Sequence, residues 1–177
     1  MNSCLTGTLQ KIEDSKGAPY LAVVIDSDRA ILDAGWRHLH ALGLQNAVAA
    51  RHARDGMHIA HVTIAGVAEW GGLVKYKPEV VSSIQLNIGS SVKMQFHGIG
   101  CAKSQKHPNT SWYGVLSCDI MNTLRTKMGL RTKDFHVTFA FEPKDVFDAA
   151  KGIDTIIIPL DHLLNVDNAY NSGPGPC

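Results

Sequence analysis

Two identical triplets stand out in the chain: His61-Val62-Thr63 and His136-Val137-Thr138, 75 residues apart. On a β-strand the side chains at i and i+2 share a face while i+1 points the other way, so each His travels with its Thr. Two imidazoles converging on one cleft suit in-line displacement at phosphorus, where one end needs a base and the other an acid. An ordinary imidazole titrates near 6.5, so one ring can be neutral and the other protonated around neutral pH, and the chemistry asks for no metal. A Thr hydroxyl beside each ring can donate to the non-bridging phosphate oxygens as charge builds there. His61, Thr63, His136 and Thr138 are therefore read as one catalytic set. A single His-x-Thr is usually a half-buried structural histidine; the repetition in matching surroundings is what carries information.

The elements around each triplet match. Tyr20 to Asp26 is β-branched and comes after a Gly17-Ala18-Pro19 turn, which predicts a strand, and Asp26, Ser27 or Asp28 is placed to cap the next element. From Arg29 to Leu42 apolar residues recur at helical spacing, with Gly43 where a terminating glycine belongs, and Met57 to Ala65 reads as the next strand. In the second half Trp112 to Ser117 reads as a strand, Asp119 to Met128 as a helix ended by Gly129, and Asp134 to Phe141 as a strand. Phe135, Val137, Phe139 and Phe141 form an apolar stripe on the face away from His136, as Ala60, Val62 and Ile64 do in the earlier strand, which leaves the His/Thr faces to line a cleft. Between the halves, Val81 to Leu86 and Ser91 to Phe96 are read as strands joined by a turn at Asn87-Ile88-Gly89, and residues 103–110 as a polar loop. Thr155 to Ile158 suggests a last short strand.

The expected fold class is α+β: two pseudo-symmetric strand-helix-strand lobes, with antiparallel sheets around a central cleft. One domain spans 1–177, with lobes at roughly 20–66 and 112–160 that exchange elements and a flexible tail at 167–177. The 177 residues, 45% hydrophobic and 19% charged, suffice for one core and exclude disordered and disulfide-stapled classes. The apolar runs are far short of the roughly 20 residues that span a bilayer. The N-terminus has neither the basic nor the apolar region of a secretion signal, so a cytoplasmic location is expected. Cys4, Cys101, Cys118 and Cys177 include no C-x-x-C pair and are expected as reduced thiols. Net charge is +1, too small for general attraction to duplex DNA, although residues 93–133 hold seven basic side chains against Asp119 alone.

The string Gly129-Leu130-Arg131-Thr132-Lys133-Asp134-Phe135-His136-Val137-Thr138-Phe139-Ala140-Phe141 resembles the Swiss-army-knife, RNA-repair-like branch of the two-histidine (2H) phosphoesterases, whose members carry two His-x-Thr/Ser motifs on symmetric lobes. Gly98-Ile99-Gly100 and Trp112-Tyr113-Gly114-Val115-Leu116 also resemble that branch, and the likeness covers most of residues 20–160. The resemblance implies a V-shaped cleft and metal-independent, cofactor-free hydrolysis of cyclic phosphodiesters, typically 2′,3′-cyclic phosphates at RNA ends. Cyclic oligonucleotides are a further substrate class. It also implies that His136 activates water and His61 protonates the leaving oxygen. The partners expected are RNA ends or small cyclic nucleotides, with no membrane; nothing in the sequence speaks to oligomeric state.

Two other functions compete. A module that binds RNA ends or nucleotides without turnover would keep the same cleft. A metal-dependent hydrolase would draw on His58-Ile59-Ala60-His61, with His52, His97 or His107 as further ligands, but on a strand positions i and i+3 face opposite sides and no metal site is expected. For substrate contacts, Trp112 and Tyr113 alternate in direction, so one of them is placed to stack on a base. Lys103 and Lys106 on the polar loop are placed to meet phosphate, and Tyr20 is a further candidate.

Overall fold

The computed structural model describes residues 3–27, 29–56 and 59–164. Alternation of Leu5, Gly7 and Leu9 with polar residues makes an opening strand, β1 (Cys4–Glu13), which pairs antiparallel with β2 (Pro19–Ile25). Helix α1 (Arg29–Ala41) ends at Gly43, whose φ of 80° is costly for any residue with a Cβ. An alanine-rich helix, α2 (Gln45–Asp55), comes next and leads into β3 (His61–Ala65). Then come α3 (Val67–Tyr76), α4 (Pro78–Gln85), β4 (Ser91–Lys103), β5 (Thr110–Ser117), α5 (Asp119–Lys127), β6 (Phe135–Glu142), a 3₁₀ turn at Ile153–Thr155 and β7 (Ile156–Pro159). The expected tail lies outside the described residues, as do Asp28 and His58. Among the described residues no helix is long and apolar enough to cross a membrane.

The seven strands form one antiparallel sheet in the order β1-β2-β3-β6-β5-β4-β7. Because β1 also pairs with β4, through Cys4 to Thr8 against Ser91 to Gln95, the pairings run full circle through six strands with β7 outside. The β3–β6 ladder is the shortest link, a single register pair, Val62 with Val137. That seam joins the two strand-helix-strand units, so the mixed fold and the paired triplets expected from the sequence are both present.

Two sequence expectations need correction. Residues 81–85 are helical, with Leu86 at the cap: Pro78 presets the first turn, and Val81 and Ile84 point into the core at a spacing of three, a pattern that a short apolar run shares with a strand. The stripe on β6 is broken by a bulge. Tyr113 pairs with Thr138 but Trp112 with Ala140, so Phe139 is an extra residue and the strand's faces reverse beyond it. Phe141 therefore falls on the His/Thr side, beneath the Arg54 guanidinium at 4.6 Å. The seven basic residues of 93–133 are not all on the surface. Arg125 is buried, forked onto Glu69 with Nη2 2.8 Å from Oε1, and it donates to the carbonyls of Ile64 in β3 and Arg131 in the segment before β6.

The core lies on the far side of the sheet from the triplets. Val62, Ile64, Val137 and Phe139 are fully buried there, and α1 packs on them with Gly35 against the Phe139 ring and Trp36 edge-on to it at 5.6 Å. The Trp36 indole also donates to the Phe139 carbonyl at 3.3 Å, which ties helix to strand at the bulge.

Candidate active site

The Val62–Val137 pair fixes the site. In an antiparallel ladder it sets His61 opposite Thr138 and Thr63 opposite His136, all four on the face away from the core. Directly opposed Cβ atoms sit about 4.5–5.5 Å apart, and diagonal neighbours such as His61 and His136 are spaced at about 7–8 Å, which leaves room for a small group between the two side chains. All four side chains are partly exposed, whereas Val62 and Val137 between them are wholly buried.

Each ring has its own surroundings. Nε2 of His61 is 3.2 Å from the Tyr20 hydroxyl, and the two rings meet edge to face at 5.7 Å. Burial holds the His61 imidazole below its ordinary pKa, against the pull of Asp55, and pushes the Tyr20 phenol up to about 12. Nε2 of His136 faces the Lys151 ammonium at 3.5 Å. Burial and then Lys151 bring the His136 imidazole down to about 3, so at neutral pH the ring is a neutral base. An ammonium has only protons to give, which puts the His136 lone pair on Nε2 and its own proton on Nδ1.

Beneath His136 runs a charged network that the sequence did not disclose. Asp145 receives Lys151 at 3.0 Å, Arg54 at 2.8 Å and the Ser111 hydroxyl at 2.7 Å, and the Thr138 hydroxyl stands 3.4 Å from it. Burial alone would raise the Asp145 pKa; Lys151, Arg54 and Ser111 outweigh it and hold the carboxyl at about 2. Arg51, 1% exposed, bridges the two strands: its Nε donates to the Thr138 carbonyl on β6 at 3.1 Å, and its other nitrogens to the carbonyls of Gly56 and Ile59 on the approach to β3. No local pattern marks these residues, because Arg54 and Asp145 meet across 91 positions.

The other candidates divide. Tyr20 reaches His61. Tyr113 lies on the site face but is 0% exposed: its ring stands edge-on to His136 at 5.5 Å and its hydroxyl donates to Thr155 at 2.8 Å, so it props the imidazole and has no free face for a base. Trp112 turns to the opposite face and packs against the main core. Lys103, two residues beyond Cys101 and its partner Trp112, shares that opposite face. Lys106 is exposed on the 104–109 loop, which Ser104 fastens to Asp148 at 2.9 Å. The histidines offered as metal ligands are dispersed. His97 bonds Ser117 at 2.8 Å, His107 is on the loop, and His52 packs edge-on to Trp36. Among the described residues no three His, Cys, Asp or Glu side chains gather as a metal site would require.

A family model described as the Swiss Army Knife, 2H phosphoesterase domain matches residues 19–147. Neither a curated protein nor a solved structure matches the chain.

Proposed function

The chain belongs to the Swiss Army Knife 2H phosphoesterases, and from that premise we propose that it hydrolyses cyclic nucleotide phosphodiesters, 2′,3′-cyclic phosphates at RNA ends or cyclic oligonucleotides, with His61 and His136 as acid and base and without a metal. The single register pair that brings both His-Val-Thr triplets onto one face supports this reading most strongly.

The surroundings of each ring set the reaction. His136 takes a proton from water through the Nε2 lone pair as the water oxygen bonds to phosphorus. The opposite P–O bond breaks, and its electron pair goes to the ribose oxygen, which receives the proton carried by His61. An anionic phosphate beside His61 favours the imidazolium, which offsets the burial that disfavours it in the free protein. The Thr63 and Thr138 hydroxyls donate to the non-bridging oxygens. Water and a cyclic diester become a monoester, and the two histidines exchange protonation states.

The test is a panel of 2′,3′-cyclic nucleotides and cyclic dinucleotides assayed with and without EDTA. Turnover that survives EDTA is the expected result; binding without product, or turnover abolished by chelation, contradicts it. His61→Ala and His136→Ala are each expected to reduce kcat by about 10²–10⁴, the range for a lost acid or base.

A further inference from the structure

Lys151 has no part in the two-histidine scheme, yet it is 6% exposed with its ammonium beside the His136 ring. Its Nζ is 3.5 Å from His136 Nε2, 3.0 Å from Asp145 and 5.2 Å from the centre of the Tyr113 ring. A buried ammonium is costly unless paired, so the first explanation for Lys151 is as the counterion of Asp145. That need is already met. Arg54 binds the same carboxylate at 2.8 Å, and Ser111 and the Val146 backbone N–H donate to its other oxygen. Among the described residues the linked cluster sets three cations, Arg51, Arg54 and Lys151, against two carboxylates, Asp55 and Asp145, which leaves one positive charge in surplus among them.

That surplus faces a neutral nitrogen, a weaker partner for an ammonium than an anion would be. The groups acting on His136 are Lys151, Asp145, Lys133 and His61, and only Asp145 among them is an anion.

We propose that Lys151 is a catalytic residue, whose ammonium takes a non-bridging oxygen of the phosphoryl group on the His136 side of the cleft and in doing so frees Nε2 of His136 for the attacking water. This deepens the two-histidine reading and rests on it for the step it serves. In the free protein burial and then Lys151 keep His136 unprotonated; once an anion neutralises the lysine, His136 becomes a stronger base in the complex.

The experiment compares the full chain with Lys151→Met and Lys151→Arg. Inorganic phosphate is titrated while the imidazole NMR signals of His61 and His136 are tracked, and turnover of 2′,3′-cyclic AMP is measured alongside. Lys151→Met should weaken phosphate binding at least about tenfold and lower kcat by about 10²–10³, the loss seen for a single donor to transition-state charge, while Lys151→Arg restores part of both. In the free Lys151→Met protein His136 should take up its proton at higher pH than in the wild type. If Lys151→Met does not fold, Lys151→Gln, which keeps a hydrogen bond to Asp145 without the charge, replaces it. Phosphate binding that depends on Lys151, with no turnover of any cyclic diester, supports the lysine site and removes the hydrolase reading. Normal phosphate affinity and turnover in a folded uncharged variant overturn the lysine site and leave the hydrolase reading standing. A wild-type protein that does not bind phosphate overturns the lysine site as well.

Discussion

His136 and His61 are both held neutral in the free protein, His136 by burial and Lys151, His61 chiefly by burial. The pH profile of kcat/KM reports the free protein, so its acid limb should fall near pH 3, where His136 protonates, and its alkaline limb below 6.5, where His61 gives up its proton. Because the two limbs report the pair, this expectation is the same if the histidines trade roles. A pH series on 2′,3′-cyclic AMP checks it; kcat/KM rising from pH 7 to 9 contradicts it. At this scale the sequence made the four His and Thr residues legible, since period-two alternation shows which side chains travel together. Asp145, Lys151 and Arg51 carried no such mark, because their partners come from other elements. Trp112 and Tyr113 could be assigned opposite faces from the same alternation, but whether the inward ring was accessible depended on burial that Thr155 and Val146 help to create.

At the scale of elements, Arg51 on α2 fixes β3 against β6. Arg51→Met strips donors from the carbonyls of Thr138, Gly56 and Ile59, and each hydrogen bond from a charged donor contributes about 1.5–3 kcal/mol. Urea unfolding should show a loss of about 3 kcal/mol or more, and kcat should drop because the short β3–β6 ladder is left to set the register alone. Gly35 on α1 is the complementary case. A Cβ there would meet the Phe139 ring at 2.8 Å, so Gly35→Ala should cost about 1–3 kcal/mol through overpacking, measured by the same unfolding series. The strands and helices flanking each triplet were legible because their apolar spacing is long and regular. Helix α4 was not, since Val80, Val81 and Ile84 fit either period over so few residues. The bulge at Phe139 could not be read at all: it is a property of how β6 registers on β5, and it alone moves Phe141 to the side of the site.

Across the whole molecule, the groups that make the site reactive also make the fold acid-sensitive. The unfolded chain takes a proton on each histidine near 6.5, whereas folded His136 resists until about 3, so stability is lost as pH falls through that window. Asp145 acts in the same direction lower down: its native carboxylate persists to about 2 while the unfolded one protonates near 3.8, so its contribution disappears between those values. Thermal unfolding should therefore show Tm falling steadily from pH 6.5 towards 3, by about 2–4 °C for each kcal/mol lost, and added phosphate should offset part of the fall by favouring the folded state. A Tm that is flat over that range contradicts the burial assigned to His136. The closed circuit of strands was beyond sequence reading, because the β1–β4 pairing joins segments more than 80 residues apart through residues with no special pattern. The central claim, that two distant imidazoles work on one phosphorus, is tested most directly by a double-variant cycle on cyclic-phosphate turnover with His61→Ala, His136→Ala and the combination. If the rings act as a unit, the double variant loses about as much kcat as either single one. Losses that multiply, or a folded single variant that turns over at the wild-type rate, would show that the two histidines do not share a reaction.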